Sequence, residues 1–124
     1  MLTDKAVAAI LPAADLERAA NFYEDKLGLK EEDRSGGGVL LGAGMGTKIF
    51  IYEKPGGTKA DHTVAGFNVD NVEREVEELR AKGITFEEYD MPGLKTINGI
   101  ATMDSVKSAW FKDTEGNIIA LNQM

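Results

Sequence analysis

Residues 7–29 read VAAILPAADLERAANFYEDKLGL, and residues 63–84 read TVAGFNVDNVEREVEELRAKGI. Each stretch opens on a strand-like apolar run and passes through Asp or Asn to an apolar-Glu-Arg triplet. Each then continues with helical spacing and closes on Lys, Gly and a branched aliphatic. Glu17 and Arg18 match Glu73 and Arg74 at an offset of 56 positions, and one residue of slack near Leu27 lets Lys26 and Gly28 match Lys82 and Gly83. Self-similarity at a fixed period marks a duplicated structural unit that shares one core with its copy. The 124 residues are enough for two such half-size units in one domain.

Working outward, the unbroken apolar run over 7–11, ended by Pro12, predicts a strand buried on both faces. From Asp15 onward, Leu16, Ala19, Ala20, Tyr23 and Leu27 fall on one helical face, and Gly28 supplies the stop. Residues 29–33 suit a short edge strand. Residues 39–41 and 47–53 suit two more, joined by the glycine-rich turn 42–46. Gly42, Gly44 and Gly46 superficially suggest a dinucleotide fingerprint, but a strand follows them and phosphate binding needs a helix N-terminus. The first half therefore reads β-α-β-β-β over 5–53, and KPGGTKAD at 54–61 is its connector to the second half, 62–124.

The second half repeats the order. Residues 63–69 predict a strand. Asp70 with Glu73 predicts a capping box for a helix with Val72, Val76 and Leu79 on one face, stopped at Gly83. Strands are predicted at 84–88, 106–112 and 118–122, with DTEGN at 113–117 as the turn between the last two. A long insertion at 89–104, YDMPGLKTINGIATMD, breaks the parity between halves. It reads either as a surface loop with its own hairpin or as a lid over apolar surface.

Composition narrows the chemistry. There is no cysteine, which excludes a disulfide framework, a thiolate metal site and a cysteine nucleophile. Fourteen Lys and Arg against 21 Asp and Glu give a net charge of −7. That charge repels phosphate backbones and anionic lipid, so neither nucleic acid nor membrane is an expected partner. No long apolar run or basic leader is seen, and the expectation is a soluble, cytoplasmic protein.

DLERAANFYEDKLGL at 15–29 and WFKDTEGN at 110–117 resemble two signatures of the vicinal oxygen chelate superfamily, which groups glyoxalase I, extradiol dioxygenases, fosfomycin resistance enzymes and bleomycin resistance proteins. Thr114 stands where that turn usually has proline. The resemblance implies an α+β fold in which two tandem βαβββ modules form a curved mixed sheet that cups a pocket, usually completed by homodimerisation. Metal-dependent members of the family hold their ion at four strand positions. Carried onto this chain, those positions fall on Ala8, Phe50 (with Tyr52 as the alternative), Val64 and Ala120. Ala, Val and Phe have no donor atom, and neutral Tyr is a poor ligand. The resemblance thus implies the fold without its metal and without another cofactor.

The candidate ligand-binding residues are Phe50, Tyr52, His62, Met91, Met103, Trp110 and Asn122. Phe50, Tyr52, Tyr89, Met91, Met103 and Trp110 are large side chains in the part of the chain where the family binds ligands. Trp110 and Phe111 point opposite ways, so at most one of them lines a pocket. His62, the single histidine, is two residues before Val64. It reads either as a displaced ligand or acid–base group, the one catalytic candidate, or as an exposed residue at a strand start. Glu53, Glu87, Glu88 and Asp90 read as solvated strand ends. Asn122 shares a face with Ala120 and can orient a ligand by hydrogen bonding. The expected function is binding or sequestration of a small apolar or aromatic molecule, as in the bleomycin resistance branch, with antibiotic resistance as its setting. The alternatives are an enzyme of glyoxalase, lyase or isomerase type with an absent or rearranged metal site, and an accessory module serving another protein.

Overall fold

The computed structural model describes residues 1–124, which form two compact units, Met1–Thr58 and Lys59–Met124. In the first, β1 (Ala9–Ala13) leads into α1 (Leu16–Asp25), then β2 (Lys30–Ser35), β3 (Gly38–Gly42) and β4 (Lys48–Glu53). In the second, β5 (Thr63–Asn68) leads into α2 (Val72–Ala81). A hairpin of β6 (Asp90–Met91) and β7 (Leu94–Lys95) follows, then β8 (Ile100–Met103), β9 (Val106–Lys112) and β10 (Ile118–Gln123). The sheets run β1-β4-β3-β2 and β5-β10-β9-β8. In both, the first strand lies parallel to the last and the other pairs are antiparallel. This is the α+β arrangement of two tandem βαβββ modules. No helix is long and apolar enough to cross a membrane.

The two helix starts carry the repeat most clearly. The Asp15 carboxylate accepts the Arg18 N–H at 3.0 Å, and the Asn71 side chain accepts the Arg74 N–H at 3.1 Å. The second cap is therefore Asn71, one residue later than the expected Asp70. Only Asn71 combines an extended backbone (φ −145°, ψ 98°) with reach to the third helical N–H. Gly28 and Gly83 end the helices at φ of +78° and +92°, a region open to glycine without a Cβ penalty.

The burial alternation along β4 and the packing of the helices fix which face carries the core, whereas β10 is buried on both faces from Ile118 to Leu121. In the first unit, Leu11, Ala13, Val39, Leu41, Ile49 and Ile51 are buried on the helix side with Ala19, Ala20 and Tyr23 of α1. In the second, Val72, Val76 and Leu79 of α2 cover Ala109, Phe111, Ile119 and Leu121, and the Phe86 and Phe111 rings meet edge to face at 5.6 Å. Fully burying side chains of this size stabilises by about 1.5–3 kcal/mol each relative to exposure.

Three local expectations are corrected. The first strand runs through Pro12 to Ala13 instead of stopping at Leu11, and it is buried on one face only, with Ile10 63% exposed. As an edge strand it has a single neighbour and tolerates a residue with no N–H. The strand expected at 84–88 is reduced to one bridge, Phe86 with Phe111, plus the hydrogen bond from Glu87 N–H to the Trp110 carbonyl. Beyond it the chain leaves for the β6–β7 hairpin, and β8 takes over the sheet edge.

Of the expected 89–104 loop, residues 90–95 form a hairpin of their own clasped to the unit, while Ile100–Met103 is a strand of the sheet, β8, and not loop. Glu88 Oε1 accepts the Thr96 hydroxyl at 2.6 Å and the Gly99 N–H at 2.9 Å. Arg80, 5.6 Å over the Phe86 ring, donates to the Asn98 carbonyl at 2.8 Å. The Thr96 hydroxyl, and then the Gly99 N–H, hold the Glu88 carboxyl below its usual pKa. A carboxyl whose pKa is lower folded than unfolded adds stability above its unfolded value, and that contribution is lost as pH falls through the folded one. The melting-temperature gap between the wild type and Glu88→Gln is therefore expected to be widest near pH 7 and to close well below 4.5, the ordinary glutamate value. A gap independent of pH would contradict the clasp.

On β3, a Cβ at Gly38 would strike the Ile51 carbonyl oxygen and the tip of the Phe50 ring. Gly38→Ala is expected to destabilise by about 1–3 kcal/mol, as overpacking does, because the carbonyl cannot move aside. Urea denaturation measures it.

Candidate functional site

With the core on the helix side of each sheet, the opposite faces carry the remaining strand residues. In the first unit, Phe50 and Tyr52 alternate with the buried Ile49 and Ile51. Ile10 and Leu40 flank Phe50 in register, and Pro12 and Gly38 flank Tyr52. The absence of a Gly38 side chain lets the Phe50 ring lie across β3. The result is an apolar, partly exposed surface centred on two aromatic rings. Its margin is charged: Lys48 pairs with Glu32, and the Ser35 hydroxyl donates to Asp33 at 2.9 Å.

The second unit presents a different face. Trp110 alternates with the buried Ala109 and Phe111, which puts Phe111 in the core and Trp110 on the helix-free side. The Tyr89 ring packs edge to face against Trp110 at 5.5 Å. Burial, and secondarily the charge of Glu87, raises the Tyr89 hydroxyl above its usual pKa. Beside this pair, Ala120 faces Trp110 and Gly66 across β10, and Asn122 faces Ser108 and Asn68. The Ser108 hydroxyl donates to Asn122 Oδ1 at 2.7 Å.

The sequence-derived candidates separate on these faces. Phe50 and Tyr52 lie together in the first unit, and Trp110 and Asn122 together in the second. Met91, on the exposed hairpin, and Met103, at the end of β8, are solvent-exposed. The His62 side chain precedes β5, is 71% exposed and has Asp61 at 3.9 Å. Glu87 pairs with Lys112 at 3.5 Å and Glu88 belongs to the hairpin clasp, so the carboxylates do not converge. Sequence reasoning missed Ser108 and Gly66. The 113–117 turn could have pointed to Ser108, since it sets Lys112 opposite Ile118 and thereby Ser108 opposite Asn122.

The Glyoxalase/Bleomycin resistance protein/Dioxygenase superfamily profile matches residues 5–121. The chain belongs to this superfamily. No curated protein matches the sequence closely enough to count as a relative. Among solved structures, the chain is similar to the genomically encoded fosfomycin resistance protein FosX from Listeria monocytogenes (TM-score 0.74, 15% identity, covering 99% of this chain and 95% of that one). It is similar to lactoylglutathione lyase from Agrobacterium tumefaciens (0.72, 20% identity, 98% and 95%). It is also similar to TnmS3, an antibiotic binding protein from Streptomyces sp. CB03234 (0.65, 20% identity, 98% and 98%). At these identities the likeness is one of fold.

The residues at the positions that the sequence resemblance assigns to a metal do not fit a divalent cation. Ala8 lies just before β1, Phe50 on β4, and Ala120 on β10. Val64 is the extra residue of a bulge in β5, skipped between Thr63 opposite Ile118 and Ala65 opposite Ile119. None of the four offers nitrogen or oxygen from its side chain. Nowhere does the chain bring three His, Asp or Glu side chains into a cluster that could hold a metal.

Proposed function

We propose that the protein is a metal-independent member of its superfamily that binds and sequesters a small, largely apolar, aromatic molecule, and that it works as a cytoplasmic homodimer. The observation that carries this reading is the substitution pattern. The positions that the resemblance assigns to a metal hold Ala8, Phe50, Val64 and Ala120, and each unit carries aromatic rings on its own helix-free face, Phe50 and Tyr52 in the first and Trp110 with Tyr89 in the second. A surface of this make-up holds a ligand by shape and ring stacking, with few polar groups to orient it. TnmS3, a relative in fold, is by its description an antibiotic binding protein, and an aromatic antibiotic is the ligand class favoured here. His62, solvent-exposed and outside β5, adds little support to the enzymatic alternative.

Trp110 is the single tryptophan, so its fluorescence reports on the helix-free face of the second unit. Titration with a panel of aromatic antibiotics and metabolites in the presence of EDTA is expected to yield saturable, one-to-one quenching and a raised melting temperature for at least one compound. A ligand that binds only when a divalent cation is restored, or that is converted to product, would overturn the reading.

A further inference from the structure

On the helix-free face of the second unit, Asn122 stands out because its amide is held in one orientation. Ser108, 3% exposed, donates its hydroxyl hydrogen to Asn122 Oδ1 at 2.7 Å. This occupies the acceptor end of the amide and leaves the Nδ2 hydrogens as the end presented to a ligand. Nδ2 leans over Gly66, 3.0 Å from where a Cβ would stand, so the missing side chain of Gly66 keeps the space around the donor clear. Trp110 is the diagonal cross-strand neighbour of Asn122, since Ala120 and Ser108 are the respective register partners. Diagonal positions on one face lie roughly 7–8 Å apart, within reach of a ring, its carbonyl substituent and the hydrogen bond to that oxygen taken together. The Tyr89 ring buttresses the far side of Trp110 at 5.5 Å.

We propose that Asn122, positioned by Ser108, is a ligand-binding residue that selects aromatic molecules carrying a carbonyl-type oxygen. The ring packs on Trp110 and the oxygen accepts from Asn122 Nδ2. An aromatic hydrocarbon of the same shape buries that donor unpaired and binds more weakly, because an unsatisfied polar group costs more than the net gain of a made bond. This proposal rests on the small-molecule binding reading above and names the chemistry the ligand must carry.

The test is a matched probe pair, 2-acetylnaphthalene and 2-isopropenylnaphthalene, which differ by C=O against C=CH2, titrated calorimetrically into the full-length protein. The ketone is expected to bind on the order of 3- to 10-fold more tightly. It should also shift the Asn122 side-chain NH2 resonance in a nitrogen-15 correlation spectrum, where the alkene does not. Asn122→Leu is expected to erase the preference, because the ketone loses its donor and the alkene no longer buries one unpaired. Ser108→Ala should reduce the preference, and Ser108→Thr should restore it. The spectrum of the wild type stands whether or not any variant folds. Equal binding of both probes with an unmoved Asn122 amide would overturn this proposal and leave the binding reading intact. Binding of neither probe up to its solubility limit would overturn this proposal together with its reading for aromatic ligands of this size.

Discussion

Phe111→Ala is expected to cost about 3–5 kcal/mol of folding stability. Phe111 is fully buried on β9, its ring meets Phe86 edge to face, and that pair is the main link between the sheet and the single bridge left of the strand after α2. Truncation leaves a cavity flanked by two strands and the base of the hairpin, and those elements cannot collapse into it without breaking the bridge. A domain of this size has only about 5–15 kcal/mol in total. The melting temperature is therefore expected to fall by more than about 10 °C, with early exposure of the hairpin in hydrogen exchange. A loss below about 1 kcal/mol would show that Phe111 is not the core residue it is taken to be.

Trp110→Ala, one residue away, is expected to do the opposite. Its side chain lies on the helix-free face, packed on Tyr89 and only part-buried. Removing the anchor aromatic of a binding surface typically costs about 2–4 kcal/mol of affinity, or roughly 30- to 1000-fold. Calorimetry, which does not depend on the lost fluorophore, should show near-abolished binding for any ligand that quenched Trp110 in the wild type, with circular dichroism unchanged. Trp110→Phe should recover part of the affinity through its ring. If Trp110→Ala binds as the wild type does, the ligand surface is elsewhere.

That two neighbours should differ so sharply follows from strand alternation, and this much was legible in the sequence. The 56-residue offset placed the two helix openings, and the structure sets caps at Asp15 and Asn71, separated by that same distance. Local rules failed where pairing partners decide the outcome. Asp70 satisfied a capping pattern, but the backbone turns at Asn71. Pro12 looked like a strand end, although an edge strand can absorb it. The run 84–88 has strand chemistry, but the clasp of Glu88, Thr96 and Arg80 takes the chain out of the sheet after Phe86. On the helix-free faces, single-residue properties pointed to Phe50 and Tyr52 in the first unit and Trp110 in the second, whereas Ser108 and Gly66 gain their place only through what lies opposite them. Their identities carry no signal until the register is known.

The metal content of the protein itself bears most directly on the reading that the superfamily fold persists here without its ion. Protein purified without chelator, incubated with Zn, Ni, Mn and Fe(II) in turn and dialysed, can be assayed by elemental analysis. With Ala8, Phe50, Val64 and Ala120 at the coordinating positions, less than about a tenth of an equivalent of any metal per chain is expected to remain, because no set of donors is there to resist dialysis. Retention of one equivalent of a single metal per chain would contradict the reading.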